Sequence, residues 1–152
     1  AMLQQNWSLI VMLPFFAGVA VSTQAAINGQ LREAVQSPLI AAFLSFFIGT
    51  VVLAILIFLT KQEVPDLRQL TGVAWYKYLG GFLGAFFVTG IIVSVQRLSV
   101  ANMIALVVAG QLIVALLYDH FGLIGVKQSP ITLTRMAGAA ALILGAYLIN
   151  KK

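Results

Sequence analysis

The sequence predicts an all-α membrane protein with five transmembrane helices, which form an inverted (antiparallel) ten-helix dimer. The 152 residues are 61% hydrophobic and 9% charged, with a mean hydropathy of +1.03, whereas about 25% of the residues of a soluble domain are charged. Apolar runs long enough to cross a bilayer occur five times. The basic residues are divided almost evenly between the two ends of these runs, which predicts the dimer.

The five predicted spans all consist of mostly apolar residues and cover residues 7–27, 38–60, 75–95, 100–118 and 131–149. Crossing about 30 Å of hydrocarbon takes roughly 20 such residues in a helix. Unpaired backbone cannot face lipid and no strand alternation is visible, so these runs are predicted to be helices. No basic residue precedes the first run, so we expect a retained span rather than a signal peptide.

Aromatic residues and short connections mark the ends of the spans. Trp7 starts the first span and Trp75 the third, while Tyr118 ends the fourth and Tyr147 lies near the end of the fifth. Such rings prefer the membrane interface. The connections cover residues 28–37, 61–74, 96–99 and 119–130. None is long enough for a soluble domain, so residues 1–152 are predicted to form a single transmembrane domain.

The basic residues do not favour one orientation in the membrane. With five spans, those on one side are Lys61, Arg68, Lys77, Lys127 and Arg135. Those on the other side are Arg32, Arg97, Lys151 and Lys152. Cytoplasmic loops normally carry an excess of Lys and Arg. The five-to-four division therefore predicts a chain that inserts both ways and pairs with its own inverted copy, or with an inverted paralogue.

Polar side chains inside the spans are the substrate-binding candidates, because unpaired polar groups are costly in lipid. Gln24 and Asn28 are four residues apart and project from one helix face. Asn28 has the alternative role of ending its helix. Gln111 is the lone strongly polar residue inside the fourth span, where it contacts substrate or forms an interhelical hydrogen bond.

Four further residues are candidates for coupling or gating. Pro14 interrupts the hydrogen bonds of the first span, and Arg97 lies in the tight turn between the third and fourth spans, as an anion-attracting group or an interfacial anchor. Asp119 and His120 suggest proton coupling. Adjacent helical side chains point about 100° apart, however, so a solvated loop start is the alternative.

Other classes of function are not favoured by the sequence. The chain has no cysteine and no clustered metal ligands, phosphate-binding loop or nucleophile motif. We therefore expect no catalytic residue, no metal and no cofactor, and a protein that is not an enzyme. The basic residues near span ends suit lipid headgroups rather than nucleic acid.

Several segments together resemble the YdcZ-like family of small five-helix bacterial inner-membrane proteins, in the drug/metabolite transporter superfamily. These segments are residues 18–31, 37–39, 45–50, 110–111, 119–123 and 135–139. The resemblance implies a five-helix half of a ten-helix transporter, found as single dual-topology proteins, oppositely oriented pairs or fused repeats. Gln24, Asn28, Gln111 and Asp119 are the family-pattern polar residues. The small multidrug branch uses a first-helix carboxylate, which this chain lacks.

The resulting hypothesis is a secondary transporter, an exporter of a small metabolite, that works by alternating access in an antiparallel homodimer. Uncharged polar site residues suit a neutral or zwitterionic molecule. A dual-topology passive ion channel is one alternative, and a non-transporting membrane assembly subunit is another. The sequence leaves the substrate, the direction and the coupling ion open.

Overall fold

The computed structural model describes residues 7–151, with side chains from Ile10 onward. Its α-helices within that range are α1 (Trp7–Val35), α2 (Pro38–Leu59), α3 (Leu67–Thr71), α4 (Leu79–Ser94), α5 (Val100–Phe121) and α6 (Leu133–Asn150). A 3₁₀ turn, Trp75–Tyr78, leads into α4. No strand occurs in this part of the chain. The Trp7 side chain and Lys152 lie outside the described residues.

Five helical segments are long and apolar enough to cross a membrane, which confirms the five predicted spans. They are Ile10–Val35, Pro38–Leu59, Trp75–Ser94, Val100–Phe121 and Leu133–Asn150. The contacts divide the chain into two compact units, one ending at Arg97 and the other beginning at Leu98. The single transmembrane domain stays a prediction.

The first unit is built by α1, α2 and α4, which all pack against one another. Its core consists of Ala41, Ala42, Val88 and Ile92, with Leu31, Val35 and Phe87 packed around it. These residues come from the C-terminal half of α1, the N-terminal half of α2 and the C-terminal half of α4. The three helices therefore converge at that end, whereas residues 10–20 of α1 and 46–59 of α2 are exposed.

Gly29 allows α1 and α4 to approach closely at the converging end. A Cβ at this position would lie 3.0 Å from Val95 Cγ1, closer than ordinary van der Waals contact. Gln96 Nε2 donates a hydrogen bond to the Gly29 carbonyl oxygen at 3.3 Å. The turn after α4 is thereby tied to α1, as small residues permit between membrane helices.

The second unit is the pair α5 and α6. Met103, Ala139 and Ala146 are buried there. The Asn150 side-chain amide donates to the carbonyl oxygens of Asn102, at 3.2 Å, and Ala146, at 2.9 Å. The first of these bonds joins the end of α6 to the start of α5.

The predicted end of the first span, Ile27, is wrong as a helix end, because α1 continues to Val35. The apolar run marks the stretch that suits hydrocarbon, whereas the helix continues wherever its backbone bonds and packing allow. Leu31 and Val35 pack against the core. The helix stops because Ser37, which precedes Pro38, is extended (φ −150°, ψ 122°) and caps α2. Asn28 consequently does not end its helix.

The end of the fourth span also differs from the predicted Tyr118. Helix α5 continues to Phe121, so Asp119 and His120 lie in its last turn rather than at the start of a loop. Gly122 ends the helix in the left-handed conformation, with φ 62°, which glycine adopts at little cost. Helix α6 begins at Leu133 instead of residue 131 because the Thr132 side chain caps it.

Candidate functional site

The polar face of α1 lies beside α2 in the first unit. Gln24 and Asn28 are one helical turn apart; Gln24 is exposed, whereas Ala25, Asn28 and Gly29 are buried. Four-residue spacing places Gln24 and Asn28 one above the other on the same face, as the sequence predicts.

Two cavities between α1 and α2 adjoin this face. One of about 250 Å³ is lined by Gln24, Ser45, Phe46, Gly49, Thr50 and Leu53. The other, of about 450 Å³, is lined by Ala20, Thr23, Gln24, Ile27, Asn28, Leu31, Ser45 and Ile48. Gln24 and Ser45 contribute to both cavities. Sites for small molecules typically have about 300–1,000 Å³ and combine apolar walls with a few polar groups, and the larger cavity falls within that range.

Asn28 is the buried polar residue of the described chain, only 4% exposed. No hydrogen bond joins its side chain to any residue in the described range. Among the described residues, Arg32 Nε is the side-chain atom that is both fully enclosed and without a hydrogen-bond partner. The amide atoms of Asn28 have no partner either, so they are not fully enclosed by protein. The small exposed fraction of Asn28 therefore lies at its amide, on the wall of the larger cavity.

The hydroxyl groups near the cavities are mostly bonded within their own helices. Ser22 donates to the Gly18 carbonyl oxygen at 3.1 Å, and Thr23 to the Val19 carbonyl oxygen at 2.9 Å. Thr50 likewise donates to Phe46, at 2.9 Å. These protons are used in the preceding turn, as is common for Ser and Thr in helices. The amides of Gln24 and Asn28 remain available to a ligand.

Pro14 and Arg97 lie away from these cavities. Helix α1 runs without interruption through Pro14, whose missing N–H leaves the Ile10 carbonyl oxygen without its intrahelical donor. Arg97 is exposed in the turn after α4, where its backbone N–H donates to the Ser94 carbonyl oxygen at 3.0 Å. Gating or coupling by either residue stays a prediction.

Gln111 belongs to the second unit, on α5. Its side chain is exposed and lines a hollow of about 460 Å³ together with Gly110, Val114, Ala115 and Tyr118. It forms no hydrogen bond with the residues that the structure describes. The interhelical bond that was its alternative role is therefore absent from this part of the chain, and substrate contact stays a prediction.

Asp119 and His120 hold the connection between α5 and α6. The Asp119 carboxylate forms an ion pair with Arg135, whose guanidinium also donates to the Ser129 carbonyl oxygen at 2.9 Å and the Ser129 hydroxyl at 3.0 Å. His120 Nδ1 accepts the Ile131 N–H at 3.2 Å. Each of the two adjacent residues thus has its own partners in the connection or in α6, and the predicted loop start is wrong because α5 continues to Phe121. Proton coupling stays a prediction.

Three contributions were not identified from the sequence. Ser45 lines both cavities, and the available signal was its place among small residues at four-residue spacing, Ala41, Ser45 and Gly49. Gln96 and Asn150 form bonds between helices, which no local pattern indicates. Among the described residues, no group of three His, Cys, Asp or Glu side chains could hold a metal ion.

Comparison with known proteins gives two matches. The profile of the family described as "Putative inner membrane exporter, YdcZ" matches residues 9–148. The Inner membrane protein YdcZ of Escherichia coli (strain K12) is 31% identical over 148 residues, which cover 97% of this chain and 98% of that protein. No solved structure matches the chain. With five spans and a match over nearly its whole length, the chain belongs to the YdcZ family of multi-pass inner membrane proteins.

Proposed function

We propose that the protein is a secondary transporter that exports a small polar metabolite by alternating access in a dual-topology antiparallel homodimer. The observation that carries the proposal is the unpartnered Asn28 amide on the wall of a cavity of about 450 Å³. Membership of a family described as an exporter supports transport rather than catalysis.

A buried amide without a hydrogen-bond partner needs a physical reason. The Asn28 amide faces the cavity, and leaving it unsatisfied there costs about 1–3 kcal/mol unless water or a ligand bonds to it. A ligand that exchanges hydrogen bonds with the amide removes the cost while it is bound. Gln24, one turn away on the same cavity wall, extends the set of polar groups. These uncharged amides suit an uncharged polar group of the molecule.

The dimer is proposed because five spans provide one half of an inverted repeat. Many transporters place substrate between two halves of opposite topology, and they alternate access by rocking one half against the other. Two identical chains of opposite orientation supply such halves. The nearly even distribution of basic residues permits both orientations. Inward-facing and outward-facing states are then equal in energy in the absence of gradients.

Transport is tested by loading vesicles that contain the purified protein with a cell metabolite extract and measuring which compounds leave. We expect Asn28→Leu to abolish the selective efflux and Gln30→Leu to preserve it, because Gln30 is exposed on α1 and lines neither cavity. If no compound of the extract leaves the vesicles, the proposal of a transporter is refuted. Ion flux far faster than a carrier cycle of microseconds to milliseconds would instead indicate a channel.

Topology is tested by labelling a cysteine from each side of the membrane. The chain has no native cysteine, and Lys151 is exposed after α6. We expect Lys151→Cys to react with an impermeant reagent from both sides in intact cells and inverted vesicles. Labelling from one side alone contradicts dual topology.

A further inference from the structure

Arg32 continues the polar face of α1 beyond the cavity. It follows Asn28 by four residues, as Asn28 follows Gln24, so the three side chains lie in one row. At 1.5 Å per residue the row is about 12 Å long. Arg32 is half-buried, and its Nε is fully enclosed without a hydrogen-bond partner in the described part of the chain.

No carboxylate of the described chain neutralises Arg32. The acidic residues of the sequence are Glu33, Glu63, Asp66 and Asp119. Within the residues that the structure describes, the ion pair found is Asp119 with Arg135. Glu33 is adjacent in sequence, but it is exposed, and neighbouring helical side chains point about 100° apart.

The position of Arg32 near a helix end explains its charge but not its enclosed nitrogen. Arg32 lies in the last turn of α1, where the helix dipole favours a cation. That interaction needs no hydrogen bond from Nε, and a side chain serving it alone would reach into water. A guanidinium remains charged at all ordinary pH values, so its Nε–H cannot be removed to relieve the lost bond. The terminal nitrogens of Arg32 also have no hydrogen-bond partner in the described part of the chain, but they are not fully enclosed, so an acceptor from outside the chain can reach them.

We propose that Arg32 binds the acidic group of the transported molecule, while Asn28 binds a polar group next to it. The guanidinium presents parallel N–H donors that match the two oxygens of a carboxylate. The inference rests on the proposed function and names its substrate class, which is a small organic or amino acid. The molecule extends no more than about 12 Å from the acid to the group that reaches Gln24.

The test measures binding to the full-length protein in an uncharged detergent, as the shift of its thermal unfolding midpoint. The probes are short hydroxy acids and amino acids, each paired with its neutral amide, at constant ionic strength. We expect at least one acid to raise the midpoint and its amide to leave it unchanged. Arg32→Gln should weaken the apparent affinity for that acid about tenfold or more, as expected for a lost charge-assisted pair.

Three further variants keep the test decisive. Arg32→Lys retains the charge without the paired donors, so it should bind the acid with intermediate affinity even if Arg32→Gln folds poorly. Asn28→Leu should weaken binding. Arg68→Gln removes an exposed arginine of α3 and should bind as the unmodified protein does.

The remaining outcomes overturn the inference. These are an equal shift in Arg32→Gln and the unmodified protein, no shift with any acid, or an Arg32-dependent shift with short-chain phosphatidylglycerol alone, which would indicate a lipid headgroup site. The transport experiment separates the two proposals. Efflux of neutral compounds that is insensitive to Arg32→Gln refutes the acid-binding role of Arg32 but supports a transporter. Arg32-dependent binding of an acid without any efflux supports the binding site but refutes transport.

Discussion

Replacing Gly29 by alanine tests the close approach of α1 and the end of α4. The added Cβ would lie 3.0 Å from Val95 Cγ1, while carbon atoms in favourable contact are about 3.5–4.0 Å apart. Unless the Val95 side chain rotates away, the helices must therefore separate by roughly half an ångström. The Gln96 hydrogen bond to the Gly29 carbonyl oxygen, at 3.3 Å, is stretched by the same movement.

The magnitude follows from two opposing effects. Overpacking a fixed contact costs about 1–3 kcal/mol, while alanine gains up to about 1 kcal/mol over glycine in a helix. Gly18, also on α1, is the matched control because nothing lies within 4 Å of its added Cβ. Substituting Gly18 by alanine therefore brings only the gain in helix propensity, without overpacking. We expect Gly29→Ala to be less stable than Gly18→Ala by about 1–3 kcal/mol.

Stability is measured by circular dichroism as the protein unfolds with increasing sodium dodecyl sulfate in mixed micelles. Val95→Ala removes the methyl group in the way, so in that background Gly29→Ala should behave like Gly18→Ala. The coupling free energy between positions 29 and 95 isolates the contact. If Gly29→Ala and Gly18→Ala are equally stable in both backgrounds, the close approach is refuted.

Two other predictions concern the ends of helices. Arg135→Gln removes the ion pair with Asp119 and the bonds to Ser129, so the backbone amide hydrogens of residues 123–131 should exchange about tenfold faster, the effect of about 1.4 kcal/mol. In the control variant Lys127→Gln, at an exposed position of the same connection, these amides should exchange at the rate of the unmodified protein. Equal exchange rates in the two variants would contradict the proposal that Arg135 restrains the connection. Ser37→Ala removes the side-chain acceptor for the Ile40 N–H, at 3.3 Å, and should lower the free energy of unfolding by about 1 kcal/mol in the same detergent titration. Ser37→Asn keeps an acceptor and should lower it little. Identical losses of stability in the two variants would contradict a capping role for Ser37.

Much of the fold could be predicted because hydrophobic length is a local property. Five runs of about 20 apolar residues can be identified without knowledge of any contact. The ends of the helices were harder to predict from the sequence. Gly122 and Thr132 carry capping signals, but α1 continues past Ile27 because Leu31 and Val35 pack against α2 and α4. That packing depends on residues far away in the sequence.

The candidate site was predicted in part. Gln24 and Asn28 were identified because polar residues in an apolar helix are conspicuous and their spacing sets a common face. Ser45 was not, because a serine in a row of small residues looks like ordinary helix packing. The bonds of Asp119 and His120 to Arg135 and Ile131 join residues 11–16 positions apart. Their partners depend on how the connection folds back.

The sequence by itself determined that this is a five-span helical membrane protein with polar groups on one face of its first helix. Composition and periodicity are sufficient for that, since lipid admits few backbone structures. Only the tertiary structure decided that Asn28 is buried without a partner and that the Nε of Arg32 is enclosed without one in the described part of the chain. Which side of α1 is covered depends on where other helices pack, and the sequence of one helix does not contain that information.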